Sequence, residues 1–274
     1  TININISDFI IKPSVNNNKL FKIKKTLDEN KNLINLPIII EKPLTLYLNN
    51  QEIVTMMTIN DYPEYLAIGY LYNQGMLESY SDIKKVEYHR DLKTIVVRTN
   101  SKTNYEAKLK KKINTSGCAQ GTVFGDLISE IEDIKLNKKI KITPAQMMNL
   151  SKIINMEPSL YLKVGAIHGC VLCDVNKPMY YFEDVGRHNA VDKIAGLIIK
   201  NDINTSDKIF YTTGRLTSEM VIKCIKMQIP ILISRSGFTA WAVEIAKKKK
   251  LTMIGRVRGK RFNILSGEFR LKYE

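Results

Sequence analysis

The chain has 274 residues, 44% of them hydrophobic, with a formal net charge of +15 and a mean hydropathy of −0.16. That length supports a sizeable core in one or two domains. No apolar run is long enough to cross a bilayer, and the first residues lack the charged-then-apolar order of a signal peptide. Four cysteines (Cys118, Cys170, Cys173 and Cys224) in such a chain make no disulfide framework and point to a reducing, cytoplasmic setting.

The positive excess favours anionic partners: nucleic acid, phosphate-bearing ligands or acidic proteins. Most of it is lysine spread along the chain, whereas the arginines sit at particular places.

Residues 1–32 read as a loosely attached polar arm. Residues 33–112 read as a small α+β domain. Apolar and polar residues alternate at 44–48, Asn49-Asn50 turns, and 53–58 returns. Asp61 reads as a helix N-cap with Pro63 in the first turn. Leu66, Gly69, Tyr70 and Asn73 share a helix face, and Gly75 follows its end. Residues 86–90 and 94–98 make a hairpin, and 105–109 a further strand. Residues 113–142 read as a mobile cysteine loop, a helix at 123–131 and a charged connector.

Residues 143–274 read as an α/β domain. Thr143 caps a helix that has Pro144 at its first position and runs to 155. A strand region at 161–175 and strands at 179–183, 208–212, 229–234 and 251–256 follow. Helices at 189–200, 218–227 and 239–249 alternate with them. That order predicts a mostly parallel sheet with helices on both faces. Cys224 reads as core, and Trp241 as packed on the helix that begins near Thr239.

The run Asn114-Thr115-Ser116-Gly117-Cys118-Ala119-Gln120-Gly121-Thr122 holds a cysteine with almost no apolar neighbour. A structural cysteine normally sits among hydrophobes. Gly117 and Gly121 make the backbone permissive. Lys108, Lys110, Lys111 and Lys112 lie just upstream, and nearby ammonium groups favour the nucleophilic thiolate. Cys118 therefore reads as a reactive, carrier thiol.

Glycine–arginine pairs follow or join strands at Gly186-Arg187, Gly214-Arg215, Arg235-Ser236-Gly237 and Gly255-Arg256, the last continued by Arg258, Lys260 and Arg261. Carboxyl ends of parallel strands share one sheet edge, where ligands bind. Glycine lets backbone N–H groups approach a phosphate, helix N-termini add positive potential, and arginine offers a matching fork. Thr212, Thr213, Thr217 and Ser218 add hydroxyls. Such a set suits a large, multiply anionic ligand resembling a nucleotide conjugate. Its spacing is neither a P-loop nor a dinucleotide fingerprint.

His188 opens a polar helix start. It is either an acid–base group oriented by Asp192 and Lys193, or a neighbour of Asn189 acting as helix cap with the charges on a solvated face. His168, Cys170 and Cys173 raise a metal or redox reading. On a strand, however, positions 170 and 173 point to opposite faces, and the residues around them do not match a zinc deaminase pattern. The sequence therefore predicts no zinc.

Residues 183–193 (Glu-Asp-Val-Gly-Arg-His-Asn-Ala-Val-Asp-Lys), Thr213-Gly214-Arg215 with Ser218-Glu219-Met220, the Ile229-Pro230-Ile231-Leu232 strand, and Gly255-Arg256 with Arg261-Phe262-Asn263-Ile264 resemble the formate dehydrogenase accessory sulfurtransferases of the FdhD/NarQ family. The resemblance spans about residues 35–267. It implies a cytoplasmic sulfur carrier that works as a homodimer. A cysteine desulfurase would load a persulfide on Cys118, which would pass sulfur to the bis-guanine-dinucleotide molybdenum cofactor for formate dehydrogenase. It also implies a second domain of cytidine-deaminase-like fold without the zinc site, and neither a nucleic-acid nor a membrane partner. The residues assigned to the cofactor are Arg187, His188, Gly214, Arg215, Arg261, Phe262, Asn263, Ile264, Leu265 and Ser266. Many family members carry C-x-x-C in the loop. Here Gly121 stands at the second cysteine, so that position holds no resolving thiol. A non-catalytic chaperone that only binds the cofactor is the alternative reading.

Overall fold

Three sheets organise the described residues. The computed structural model describes residues 9–101 and 124–273. The strand expected at 105–109 and the Cys118 loop lie outside the described residues.

The small domain is a four-stranded sheet of β3 (Lys42–Leu48), β4 (Gln51–Thr58), β5 (Ile83–His89) and β6 (Thr94–Thr99), in the order β4-β3-β6-β5. Two antiparallel hairpins meet through a parallel β3–β6 pair. The alternation at 44–48 buries Leu44, Leu46 and Leu48 against α1 (Pro63–Asn73). Asp61 does not cap this helix. Tyr62 holds the cap position with φ 47°, and the Asp61 carboxylate instead accepts from the buried ammonium of Lys193 at 2.5 Å.

The large domain is a six-stranded sheet of β7 (His168–Cys173), β8 (Pro178–Asp184), β9 (Ile209–Thr212), β10 (Ile231–Ser234), β11 (Thr252–Arg258) and β12 (Arg261–Ser266), in the order β12-β11-β10-β9-β7-β8. Only the β9–β10 and β10–β11 pairs are parallel, so the sheet is mixed rather than mostly parallel. The reason is local. Tight turns join β7 to β8 and β11 to β12, and a short turn can connect only antiparallel strands. β8 is antiparallel to β7, which is antiparallel to β9. β8, β9, β10 and β11 therefore all run the same way.

Helices cover both faces, making three layers. On one face α3 (Pro144–Met156) packs Met147, Leu150 and Ile154 on Val171, Tyr211 and Ile233. Thr143 caps it as expected, and the Gln146 side chain returns the bond, so that the two cap each other's backbone N–H. The other face carries α5 (Arg187–Lys200), α6 (Ser218–Lys226) and α7 (Ala240–Lys248), with α2 (Phe124–Glu130) beside them. Trp241 on α7 is 49% exposed. The strand region expected at 161–175 is split. Its first residues form a helical turn, α4 (Leu160–Val164), capped by Ser159 and ended at Gly165 with φ 64°.

The two domains meet along α1 and α5 at glycines. A Cβ on Gly69 would lie 1.6 Å from the Asp192 carbonyl oxygen, and one on Gly196 would lie 1.9 Å from that of Tyr65. Only glycine allows the two backbones to approach so closely. The arm is not loose along its described part. Phe9 is buried against Tyr181, and the Ile10 N–H donates to the Met179 carbonyl at 2.7 Å. β1 (Phe21–Leu27) pairs with β2 (Leu33–Ile39) in a hairpin that is buried at its base and exposes Ile23, Leu27, Leu33 and Leu36 further out.

Candidate functional site

Because β8–β11 share a direction, the four glycine–arginine elements come to one edge of the large sheet. The N-terminal ends of β7 and β12, with His168 and Arg261, arrive at the same edge. The loops there are stitched together. The Thr213 N–H donates to the Gly169 carbonyl at 3.0 Å, that of Leu216 to Gly237 at 2.9 Å, and that of Arg256 to Ser236 at 2.9 Å. The Ser234 hydroxyl donates to the Gly214 carbonyl at 2.6 Å. Gly214 lies against Arg187, and a Cβ there would be 3.3 Å from the arginine's own Cβ.

The arginines are held differently. Arg235 stacks on the Tyr161 ring at 4.4 Å from its centroid, donates to that hydroxyl, and donates to Asn155 at 3.1 Å. Arg256 has φ 53° where the β11–β12 register shifts, and lies over Phe238. A bulge of this kind re-aims a side chain. Arg215 and Arg261 are exposed, and Arg187 is half-buried. The cations act on their surroundings: burial and the charges of Arg187 and Arg215 push the His168 pKa below the usual histidine value.

His188 Nε2 lies 3.0 Å from the Glu219 carboxylate on α6. Burial, more than any neighbour, lowers its pKa, with the Lys223 charge adding to the effect and Glu219 opposing it. Its Nδ1 and the Thr217 hydroxyl are buried with no hydrogen-bond partner among the described residues. Groups of that kind cost free energy unless something binds them. Glu219 was not legible as the partner. The only sequence signal was an acid in the first turn after a glycine–arginine pair.

Asp192 and Lys193 neither orient His188 nor face water, and Asn189 is not the helix cap. Gly186 is the cap, and the Asn189 amide donates to the Met57 carbonyl at 2.8 Å. Lys193 is fully buried and lies 2.7 Å from Asp184 and 2.5 Å from Asp61. Burial alone would lower its pKa, but the two carboxylates reverse that and raise it. Asp192 pairs with Lys223 at 2.9 Å and accepts from Asn73 of α1 at 2.7 Å. These charges lock the two domains together behind the sheet edge.

Glu183 accepts from the N–H groups of Leu160 and Tyr161 at 2.8 and 3.0 Å, so it anchors the turn that carries the Arg235-binding tyrosine. Burial outweighs those bonds and raises its pKa to about 7. The unfolded chain titrates this group near 4.5, so the folded state binds more protons between these values. Stability from this group is full below about pH 4.5 and falls as pH rises to 7, by on the order of 3 kcal/mol. Denaturant unfolding of Glu183→Gln between pH 4.5 and 7 should show a flatter pH slope than wild type. Equal slopes would remove Glu183 as the source.

The structure does not bring all assigned cofactor residues together. Arg187, His188, Gly214, Arg215 and Arg261 stand at the edge. Phe262 and Asn263 follow Arg261 at the level of Gly255, whereas Ile264, Leu265 and Ser266 run down β12 away from the edge. Asn263 pairs with Gly255, Ile264 with Ile254, and Ser266 with Met253 at the far end, while Phe262 and Leu265 pack on the two cores. Cys170 and Cys173 are fully buried in opposite cores, and Cys224 is buried as well. Burial pushes the Cys170 thiol up to about 12, and those of Cys173 and Cys224 well above the usual thiol value. Among the described residues no group of three or more His, Cys, Asp or Glu is placed to hold a metal ion.

Comparison with known proteins covers nearly the whole chain. The model of the "FdhD/NarQ family" matches residues 39–272. A "Sulfur carrier protein FdhD" from Listeria innocua is 31% identical over 230 residues, 83% of this chain and 88% of that protein. One of the same name from Bacillus subtilis is 30% identical over 240 residues, 86% of this chain and 90% of that protein. Among solved structures, a putative formate dehydrogenase accessory protein from Desulfotalea psychrophila superposes with a TM-score of 0.76 at 25% identity, covering 92% of this chain and all of that one. The family-model match over residues 39–272 shows that the chain belongs to the FdhD/NarQ family.

Proposed function

We propose that this chain is a sulfur carrier in formate dehydrogenase maturation, that Cys118 is the carrier, and that the glycine–arginine edge holds the acceptor, a bis-guanine-dinucleotide molybdenum cofactor bound as substrate. The observation that carries this is the state of the other thiols. Of four cysteines, Cys170, Cys173 and Cys224 are sealed in cores and protonated at neutral pH, and a thiol in that state does not act as a nucleophile. That leaves Cys118, and the relatives' printed name supports the role. In the loading step the Cys118 thiolate attacks the outer sulfur of a desulfurase persulfide. The S–S bond of the desulfurase breaks, its thiolate leaves, and Cys118 becomes the persulfide with no net oxidation. Intact-mass measurement after incubation with a cysteine desulfurase and cysteine should find one added sulfur, located on Cys118. An unchanged mass beside intact cofactor binding would instead favour a chaperone that only holds the cofactor.

The rest of the reading follows from the same surfaces. Arginine forks at the strand ends and, among the described residues, two buried polar groups without hydrogen-bond partners suit phosphates and a guanine edge. The three-layer domain is read as a cytidine-deaminase-like fold that has exchanged zinc chemistry for anion binding. The exposed apolar face of the β1–β2 hairpin supports a homodimer, which sedimentation velocity would test. A reducing cytoplasm fits the unpaired core thiols. Among the described residues no helix is long and apolar enough to cross a membrane.

Arg215 tests the edge directly. An arginine–phosphate bond contributes about 1.5–3 kcal/mol, so Arg215→Ala should weaken GDP binding about 10–100-fold by calorimetry. Arg215→Lys should restore only part of that, because it lacks the planar fork. Persulfide loading of Cys118 should survive in both variants. If GDP affinity is the same in all three proteins, the edge is not the binding site.

A further inference from the structure

A second basic cavity, of about 370 Å³, lies where the N-terminal arm crosses the small domain. Lys19 enters it from the arm, Lys42 from the start of β3, and Arg90 and Lys93 from the β5–β6 turn. Asn60 and Tyr88 line it between them. Among the described residues it shares no lining residue with the large-sheet edge, and no acidic side chain lines it. All four cations are exposed side chains, and their summed positive charge around one concavity attracts an anion.

A second observation points the same way. The side-chain oxygen of Asn60 is buried with no hydrogen-bond partner among the described residues, while its NH2 donates to the Tyr88 hydroxyl at 2.6 Å. Turning that amide over keeps the Tyr88 bond, with the hydroxyl now donating, and makes the unpartnered group an NH2 donor. Asn60 is held for this by its left-handed backbone (φ 62°) and by its N–H, which donates to the Thr58 hydroxyl at 3.1 Å. Thr58 in turn donates to Asp184 in the interdomain charge cluster at 2.5 Å.

We propose that the cavity between Lys19, Lys42, Asn60, Tyr88, Arg90 and Lys93 is a binding site for a small oligophosphate, separate from the sheet-edge site. The concave shape suits a compact anion rather than an extended nucleic-acid strand, whose contacts would run in a stripe. The arginine fork and three ammonium groups suit adjacent phosphates better than a single carboxylate. The volume falls in the range of small-ligand sites.

Lysine-acylation footprinting by mass spectrometry on the full chain, with inorganic pyrophosphate as the probe, reads this site by residue. Pyrophosphate should slow acylation of Lys42 and Lys93 several-fold and leave Lys22 and Lys24 of β1 unchanged. Sulfate at the same ionic strength should protect neither pair. Arg90 is exposed in a turn, so Arg90→Ala should fold normally, yet need about tenfold or more additional pyrophosphate for the same protection. Arg215→Ala should protect like wild type. The proposal fails if the two lysine pairs are protected alike, if sulfate protects equally, or if Arg90→Ala is unaffected. Failure of the sheet-edge reading would appear only in the GDP titration.

Discussion

Cys118→Ala should abolish sulfur transfer and leave the fold in place. Formate dehydrogenase co-produced with this variant should show no activity above a strain lacking the carrier, and no sulfur should be gained after desulfurase treatment. The size of the effect follows from the absence of a substitute. Cys170, Cys173 and Cys224 have no solvent exposure, and burial holds their thiols protonated. Gly121 stands where a second loop thiol would be. Converting Cys170, Cys173 or Cys224 to Ala should retain loading, at a cost of about 1 kcal/mol or more in stability from the small cavity left behind. Full formate dehydrogenase activity with Cys118→Ala would end the carrier reading outright. Loss of loading in Cys170→Ala, in protein that melts like wild type, would move the carrier to β7.

The second large effect lies behind the site. Lys193→Met should destabilise the protein by about 3–5 kcal/mol, because it leaves buried carboxylates without their cation. The ammonium is fully buried and bonds Asp61, Asp184 and the Glu183 carbonyl at 2.5, 2.7 and 2.8 Å. Asp184 also accepts from the Thr58 hydroxyl and the N–H groups of Ile59 and Val185, so the pair ties β4 of the small domain to the end of β8. For a chain of this size the melting temperature should fall on the order of 10 °C. Adding Asp61→Asn and Asp184→Asn to Lys193→Met should recover part of the loss, since the burden is the uncompensated charge and not the missing side chain. A Lys193→Met protein that melts with wild type would mean that the joint does not depend on this buried ion cluster.

Sequence alone determined the features that rest on local chemistry. The alternation at 44–48, the hairpin of 86–90 and 94–98, the Thr143-Pro144 helix start and the helix–strand alternation after residue 143 each depend on side-chain spacing that a short window contains. The shared edge of glycine–arginine pairs was legible for the same reason: each pair lies near or just after the carboxyl end of its own strand. The tertiary structure decided what depends on partners far along the chain. Asp61 looked like a cap until a lysine 132 residues away claimed its carboxylate. Asp192 and Lys193 read either as groups orienting His188 or as solvated charges, because their partners, Lys223, Asp61 and Asp184, lie on other elements. The turn at 160–164 read as strand because the carboxylate that satisfies its N-terminus comes from Glu183, on β8. The direction of β12, which carries Ile264–Ser266 away from the edge, is set by the turn at Gly259 (φ 58°) and by pairing with β11. Charge pairing and strand pairing act through space, and a one-dimensional pattern records only one side of each pair.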